Sequence, residues 1–201
     1  MHERDLLHRI QARSEALLRP YQSAVLIGPG DDCAVLAAPS GPHIVVGVDQ
    51  LIVGRHCEPD TPIEFIARKA IARGVSDIAA MGATPTWALA AAKLPNGYPH
   101  ADELFDACAR WAAHWGCPLI GGDIASSPSE LALAITVAGT THPTRGPVLR
   151  SGAAPGDLVA VTGPIGDSFS SGWHLRFEPR VERATRLCDE LGEDLHAMID
   201  L

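Results

Sequence analysis

The chain reads PIEFIARKAIARGVSDIAAMGA at residues 62–83, and this stretch places a long amphipathic helix between runs of apolar strand residues. Its apolar side chains recur at helical spacing, and Pro62 suits a first helical turn. A glycine inside a helix costs about 1 kcal/mol, so we expect a break between Gly74 and Asp77. Asp77 is then expected at a helix end or in an irregular turn.

Short apolar strands flank this helix on both sides. Before it lie SAVLIG, CAVLAA and HIVVGVD, and after it lie TWALAAAKL, CPLIGG, LALAITVAGT and DLVAVTG. Further helices are predicted over residues 1–18 and 101–116, and residues 173–201 form a charged helical tail broken by Pro179. Helices and strands interleave, which predicts an α/β or α+β domain.

Composition limits the classes of function. The chain has 201 residues, 46% of them hydrophobic, which is enough for one full core. Its net charge of −8 and the lack of a basic stretch argue against nucleic-acid binding. The five cysteines contain no CxxC pair and are expected to be reduced, buried thiols. No apolar run approaches the length of a membrane span, so a cytoplasmic protein is expected.

Acidic residues follow apolar runs at four places. GPGDDCAVL spans 28–36, VSDIAAMGA spans 75–83, LIGGDI spans 119–124, and Asp49 ends HIVVGVD. Each one alone is explained as well by a turn or a helix cap. Together they favour a site for divalent cations and, through them, for phosphate groups.

Other chemistries lack their sequence motifs. There is no GxxxxGK[ST], no GxGxxG, no GxSxG and no HExxH. An acidic protein that handles polyphosphate must then bring in metal. His56, Arg150, Arg55 and Lys69 remain open between structural and ligand-facing roles.

The motifs together resemble the thiamine-monophosphate kinase family, within the aminoimidazole ribonucleotide synthetase-like superfamily. The resemblance runs in order through IGPGDDCAVL, VDQLIVGRHC, ARKAIARGVSDIAAMGATP, LIGGDI, VLRSGAAPGDLVAVTGPIGDS and HLRFEPR. It implies a mixed sheet with flanking helices, completed as a barrel by homodimerisation. It also implies an N-terminal ATP- and metal-binding domain at 1–145 and the start of a truncated C-terminal domain at 146–201.

The resemblance further implies ATP- and Mg²⁺-dependent phosphorylation of thiamine monophosphate to thiamine diphosphate. The implied magnesium ligands are Asp32, Asp49, Asp77 and Asp123, the implied ATP contacts are Gly122, Asp123 and Arg150, and the implied substrate contact is His56. The attacking phosphate is already ionised, so no strong general base is expected among the site residues.

Some positions depart from the family pattern. Gly47 and Val48 replace hydroxyl-bearing metal contacts, Gln50 replaces a threonine, Gly74 replaces an asparagine, and an SDGL segment expected after Leu201 lies outside the sequence. Two alternatives therefore stay open. One is a catalytically impaired dimeric nucleotide-binding or assembly module, and the other is an ATP-dependent enzyme of the same superfamily with a different acceptor.

Overall fold

The computed structural model describes the backbone of residues 3–201 and the side chains from His8 onward. In this part of the chain the helices are α1 (Glu3–Leu18), α2 (Ile63–Ala80), α3 (Ala101–His114) and α4 (Val181–Leu191). The strands are β1 (Val25–Ile27), β2 (Ala34–Leu36), β3 (Ile44–Ile52), β4 (Thr84–Pro95), β5 (Leu119–Ser127) and β6 (Ala132–Thr140).

The strands form one mixed six-stranded sheet with the order β1-β2-β3-β6-β4-β5. Strand β6 pairs antiparallel with both β3 and β4, whereas β4 and β5 are parallel and are joined through α3. The expected α/β class with flanking helices is confirmed. The mixed pairing follows from the connections, because the parallel pair needs the long α3 crossover.

One face of the sheet is covered by α2 and α3. Alternate strand residues such as Leu51 and Ile135 point to this face and are buried with Ile71 and Ile78 of α2. The opposite face carries exposed apolar side chains, with Val48 67% exposed. The sheet therefore buries one face within the chain and presents an apolar face on the other side.

Helix α2 runs without interruption from Ile63 to Ala80, so the predicted break between Gly74 and Asp77 is wrong. Gly74 lies against β6, and a Cβ added there would stand 2.7 Å from Cγ2 of Val137. The glycine lets the helix approach the sheet closely, and this packing outweighs its low helix propensity. Asp77 consequently lies in the last turn of a continuous helix.

The predicted strand DLVAVTG is also wrong, because residues 157–163 form no strand. Leu158 and Val159 are 99% and 94% exposed. A strand requires a hydrogen-bonded neighbour, and this segment pairs with none of the strands in the described part of the chain. The other predicted strands are all present.

The C-terminal tail folds back onto the main body through a small second core. Helix α4 ends at Leu191, the next residue Gly192 has a φ of +53°, and the chain continues to Leu201 without a further α-helix. The second core contains Val148, Leu187, Cys188, Leu195 and Met198.

All five cysteines are buried free thiols, as expected. No helix within residues 3–201 meets the length and apolarity needed to cross a membrane.

Candidate functional site

Three of the acidic motifs converge at one place in the fold. Asp32 lies in the turn between β1 and β2, Asp49 lies on β3, and Asp77 lies in the last turn of α2. Burial raises the pKa of Asp77 to about 7, and the negative charges of Asp200, Asp49 and Asp32 act in the same direction. These carboxylates therefore form one electrostatically coupled cluster.

The C-terminal tail adds Asp200 to this cluster. Ser76, next to Asp77 on α2, donates a hydrogen bond of 2.5 Å from its Oγ to Oδ1 of Asp200. Burial raises the pKa of Asp200, and the charges of Asp32 and Asp49 contribute to the increase. Asp200 was not among the predicted site residues, because only the tertiary position of the tail brings it to Ser76.

The segment from Arg145 to Gly152 contacts the C-terminal tail shortly before Asp200. Arg145 donates a hydrogen bond of 2.7 Å from Nη2 to the carbonyl oxygen of Leu195. Nearby, Gly152 lies so close to the carbonyl oxygen of His196 that a Cβ would collide with it. These contacts fix Leu195 and His196 against the segment that contains Arg145 and Gly152, a few residues before Asp200.

Two arginines neutralise part of the cluster. Arg150 donates to both carboxylate oxygens of Asp32, with an Nε–Oδ2 distance of 3.0 Å, and its backbone N–H donates to Asp31. Arg73 on α2 donates to both oxygens of Asp49, at 2.5 Å from Nε and 2.7 Å from Nη2. Arg150 was predicted as a site residue and Arg73 was not. The spacing offered a signal, since Arg73 precedes Asp77 by four residues and shares its helix face.

His56 lies at the edge of this cluster. Its Nδ1 accepts a hydrogen bond of 2.8 Å from the backbone N–H of Ile52, which leaves the proton of the neutral ring on Nε2. Burial lowers the pKa of His56, and the positive charges of Arg73 and Lys69 lower it further. His56 is therefore a neutral imidazole with a hydrogen-bond donor available to a ligand.

Lys69 connects His56 to the C-terminal part of the chain. Its Nζ donates to the carbonyl oxygen of His56 and lies 2.7 Å from Nδ1 of His174. The ring of His174 stacks on Phe169, with centroids 4.5 Å apart. The motif HLRFEPR thus places a histidine beside the VGRHC segment.

Arg68 holds this motif against α2 and α3. Its guanidinium stacks on Trp111 and Trp115, at 5.0 and 5.3 Å from the ring centroids. It also donates to the carbonyl oxygen of Leu175 at 3.1 Å and to Oε2 of Glu178 at 2.9 Å. The opposite oxygen of Glu178 accepts from Nε1 of Trp115 at 2.7 Å.

Gly122 and Asp123 lie apart from the cluster within one chain. Asp123 is exposed on the edge strand β5. It pairs with Ala91 of β4, Ala91 pairs with Ala134 of β6, and Ala134 pairs with Gln50 of β3, so these four residues form one row across the sheet. This row faces the side of the sheet opposite to Asp49. Three strand spacings, about 14 Å, separate β5 from β3. Gly122 packs against Ala90, where a Cβ would collide with the carbonyl oxygen.

An open cleft of about 490 Å³ adjoins Asp31. It lies between α1 and β1 and is lined by the Gly28–Asp31 turn together with Gln11, Leu149 and Ser151. A larger cleft of about 590 Å³ is lined by Val53, Tyr98 and Glu130. Neither cleft is lined by Asp32, Asp49, Asp77 or Asp200, but the first reaches Asp31, the neighbour of Asp32.

The donor chemistry of the cluster fits a hard divalent cation, because four carboxylates supply oxygen atoms, and the raised pKa values of Asp77 and Asp200 reflect burial and the negative charge around them. From His8 onward, however, no group of three or more His, Cys, Asp or Glu side chains is arranged to hold a metal ion directly. Arginines occupy the carboxylates of Asp32 and Asp49 instead. The residues needed for a metal site are present, but two of them are engaged in ion pairs.

The mixed sheet with two covering helices and an acidic cluster defines the chain as an α/β protein with a candidate cation–phosphate site. The family model for AIR synthase related protein, N-terminal domain, matches residues 30–141. The chain therefore belongs to the AIR synthase related protein family.

Several known proteins are similar to this chain. The thiamine-monophosphate kinase of Rhodopirellula baltica is 37% identical over 187 residues, covering 88% of this chain and 57% of that protein. The structure of thiamine-monophosphate kinase from Stenotrophomonas maltophilia is 30% identical, with a TM-score of 0.60, over 90% of this chain and 63% of that one. A structure described as AaThiL complexed with AMPPCP and TMP shares the fold, with a TM-score of 0.67 at 23% identity, over 86% of this chain and 60% of that one. The chain spans about half the length of the curated relatives it matches.

Proposed function

We propose that the chain carries the ATP- and magnesium-binding part of a thiamine-monophosphate kinase, which phosphorylates thiamine monophosphate to thiamine diphosphate. The observation that carries this proposal is the convergence of Asp32, Asp49 and Asp77 from three separate sequence motifs into one cluster with Asp200. The similarity to thiamine-monophosphate kinases over most of the chain supports the choice of acceptor.

In this proposal the clustered carboxylates of Asp32, Asp49, Asp77 and Asp200 hold Mg²⁺. When bound, Mg²⁺ would offset the charge on the transferring phosphoryl group. Arg150, 39% exposed, is placed to exchange its contact with Asp32 for an ATP phosphate. His56 offers its Nε2–H to the thiamine phosphate, and a general base is unnecessary because the attacking phosphate oxygen is already ionised.

We also propose that the domains divide near residue 145 and that the functional unit is a homodimer. The exposed apolar sheet face with Val48 gives a second copy an area to cover, and closing two such sheets on one another would form a barrel. Asp123 lies exposed on that face. The Gly122–Asp123 segment would then lie at the interface between the two copies, where we propose that it contacts ATP and metal.

A purified sample incubated with Mg²⁺, ATP and thiamine monophosphate tests the proposal, with thiamine diphosphate as the measured product. Formation of thiamine diphosphate supports the kinase. Nucleotide binding without turnover supports the alternative of a catalytically impaired dimeric nucleotide-binding or assembly module. ATP hydrolysis with another acceptor supports a different enzyme of the same superfamily.

A further inference from the structure

Three charged side chains, Lys69, Arg73 and Asp77, follow one another at intervals of four residues along α2. This spacing places them on one helix face. The middle residue reaches across to β3 and contacts Asp49 through two nitrogen atoms, at 2.5 and 2.7 Å. Both carboxylate oxygens of Asp49 are therefore occupied by one planar guanidinium, in the bidentate geometry that arginine forms best.

The neighbouring carboxylates stabilise the positive charge on the guanidinium of Arg73. Burial lowers the pKa of Arg73, but its hydrogen bond with Asp49 and the charges of Asp49, Asp77 and Asp200 more than offset that effect. The same guanidinium lowers the pKa of Asp77. The side chains of Arg73 and Asp49 are 31% and 23% exposed, so the pair is partly open to solvent and has room to rearrange.

We propose that Arg73 is an internal counter-ion that competes with a divalent cation for Asp49. A cation that binds Asp49 must displace an arginine contact or lie directly beside the guanidinium charge, because Arg73 donates to both oxygens and the backbone N–H of Gln50 also donates to Oδ1. Arg73 neutralises the charge of Asp49 until a divalent cation replaces it, and the competition raises the cation concentration needed for occupancy. This inference rests on the proposed metal site.

The test is Mn²⁺ binding to the purified chain, measured by electron paramagnetic resonance without nucleotide. Removal of the competing unit charge in Arg73→Gln is expected to tighten Mn²⁺ binding by roughly tenfold or more, because the interaction between close charges is large in a partly buried site. Arg73→Lys keeps the positive charge but lacks the planar, bidentate guanidinium, and this variant is expected to bind Mn²⁺ with intermediate affinity. Arg110→Gln is the matched control, since Arg110 forms an exposed ion pair with Glu64 and its loss should leave the affinity unchanged.

The outcomes separate this inference from the proposed function. Circular dichroism first establishes that each variant is folded, and Arg73→Lys provides an independent test if Arg73→Gln does not fold. If the unmodified chain binds Mn²⁺ and the Arg73 variants bind it equally well or more weakly, the proposed counter-ion role of Arg73 is wrong, whereas the proposed metal site stands. No Mn²⁺ binding by any folded form overturns both the counter-ion and the metal site.

Discussion

Asp77 illustrates how a single carboxylate is made ready for a cation by its position. It lies in the last turn of α2, where the helix dipole disfavours a negative charge, and it is half-buried among three other carboxylates. Its pKa of about 7 lies well above the ordinary value for aspartate. Without a bound cation, ionisation of Asp77 therefore destabilises the folded chain, because the new charge is half-buried and is repelled by the other carboxylates.

We expect Asp77→Asn to stabilise the metal-free chain at high pH. A carboxyl whose pKa is raised by folding favours the folded state below its unfolded pKa, and this contribution is lost as the pH rises through about 7. In EDTA, the melting temperature of Asp77→Asn should exceed that of the unmodified chain by more at pH 8 than at pH 5. Asp106→Asn, on the exposed side of α3, is the control, and an equal difference at both pH values would contradict the prediction.

Gly47 explains one departure from the family pattern in physical terms. A Cβ at this position would stand 2.8 Å from Sγ of Cys33, so the cysteine sulfur occupies the space that a serine side chain would need. We expect Gly47→Ser to destabilise the fold by about 1–3 kcal/mol through overpacking. Adding Cys33→Ala should recover part of this loss.

Urea unfolding of both single variants and the double variant measures this coupling. The two changes should be non-additive, because they share one contact. If the changes in the free energy of unfolding are additive, the sulfur of Cys33 is not what prevents a larger side chain at position 47.

At the scale of elements, α2 organises the molecule: its apolar side packs on the sheet, and its charged side chains reach the site. The strands, α3 and α2 could largely be predicted from apolar periodicity, because they bury their faces within the chain. The course of α2 through Gly74 could not be predicted, because the contact with Val137 is tertiary. The DLVAVTG segment has the composition of a strand, but it has no neighbouring strand to pair with in the described part of the chain. Composition alone does not show whether such a neighbour exists.

The same division applies to the candidate site. Asp32, Asp49 and Asp77 could be proposed from their motifs, since each follows or ends a recognisable element. Asp200 required the fold, and so did the pairing of Arg73 with Asp49, because Ser76 and Asp49 are distant in sequence from their partners.

The attachment of residues 173–178 to α2 and α3 depends on Arg68. Arg68→Met removes hydrogen bonds to Leu175 and Glu178, and we expect it to cost about 2 kcal/mol, as is typical for bonds to charged groups. Limited proteolysis should then cleave near this segment faster. Arg110→Met, in an exposed ion pair, should change stability by less than about 0.5 kcal/mol. Unchanged proteolysis of Arg68→Met would show that the two tryptophans hold the segment without the guanidinium.

At the scale of the whole molecule, the exposed sheet face predicts self-association. Val48 lies near the middle of β3 on this face, and a charge there would be buried without a partner in a dimer. We expect sedimentation of the unmodified chain at micromolar concentration to give a dimer and Val48→Glu to give a monomer. Leu158→Glu, an apolar-to-charged change away from the sheet, is the control. A stable monomer of the unmodified chain would contradict the dimer.

Calorimetric titration of the chain with a non-hydrolysable ATP analogue tests the central claim, that the carboxylate cluster binds nucleotide through Mg²⁺. We predict binding in Mg²⁺ that is lost in EDTA, is strongly weakened by Asp77→Asn and is unchanged by Asp106→Asn. Binding of equal affinity in EDTA, or binding that Asp77→Asn leaves unchanged, would contradict the claim.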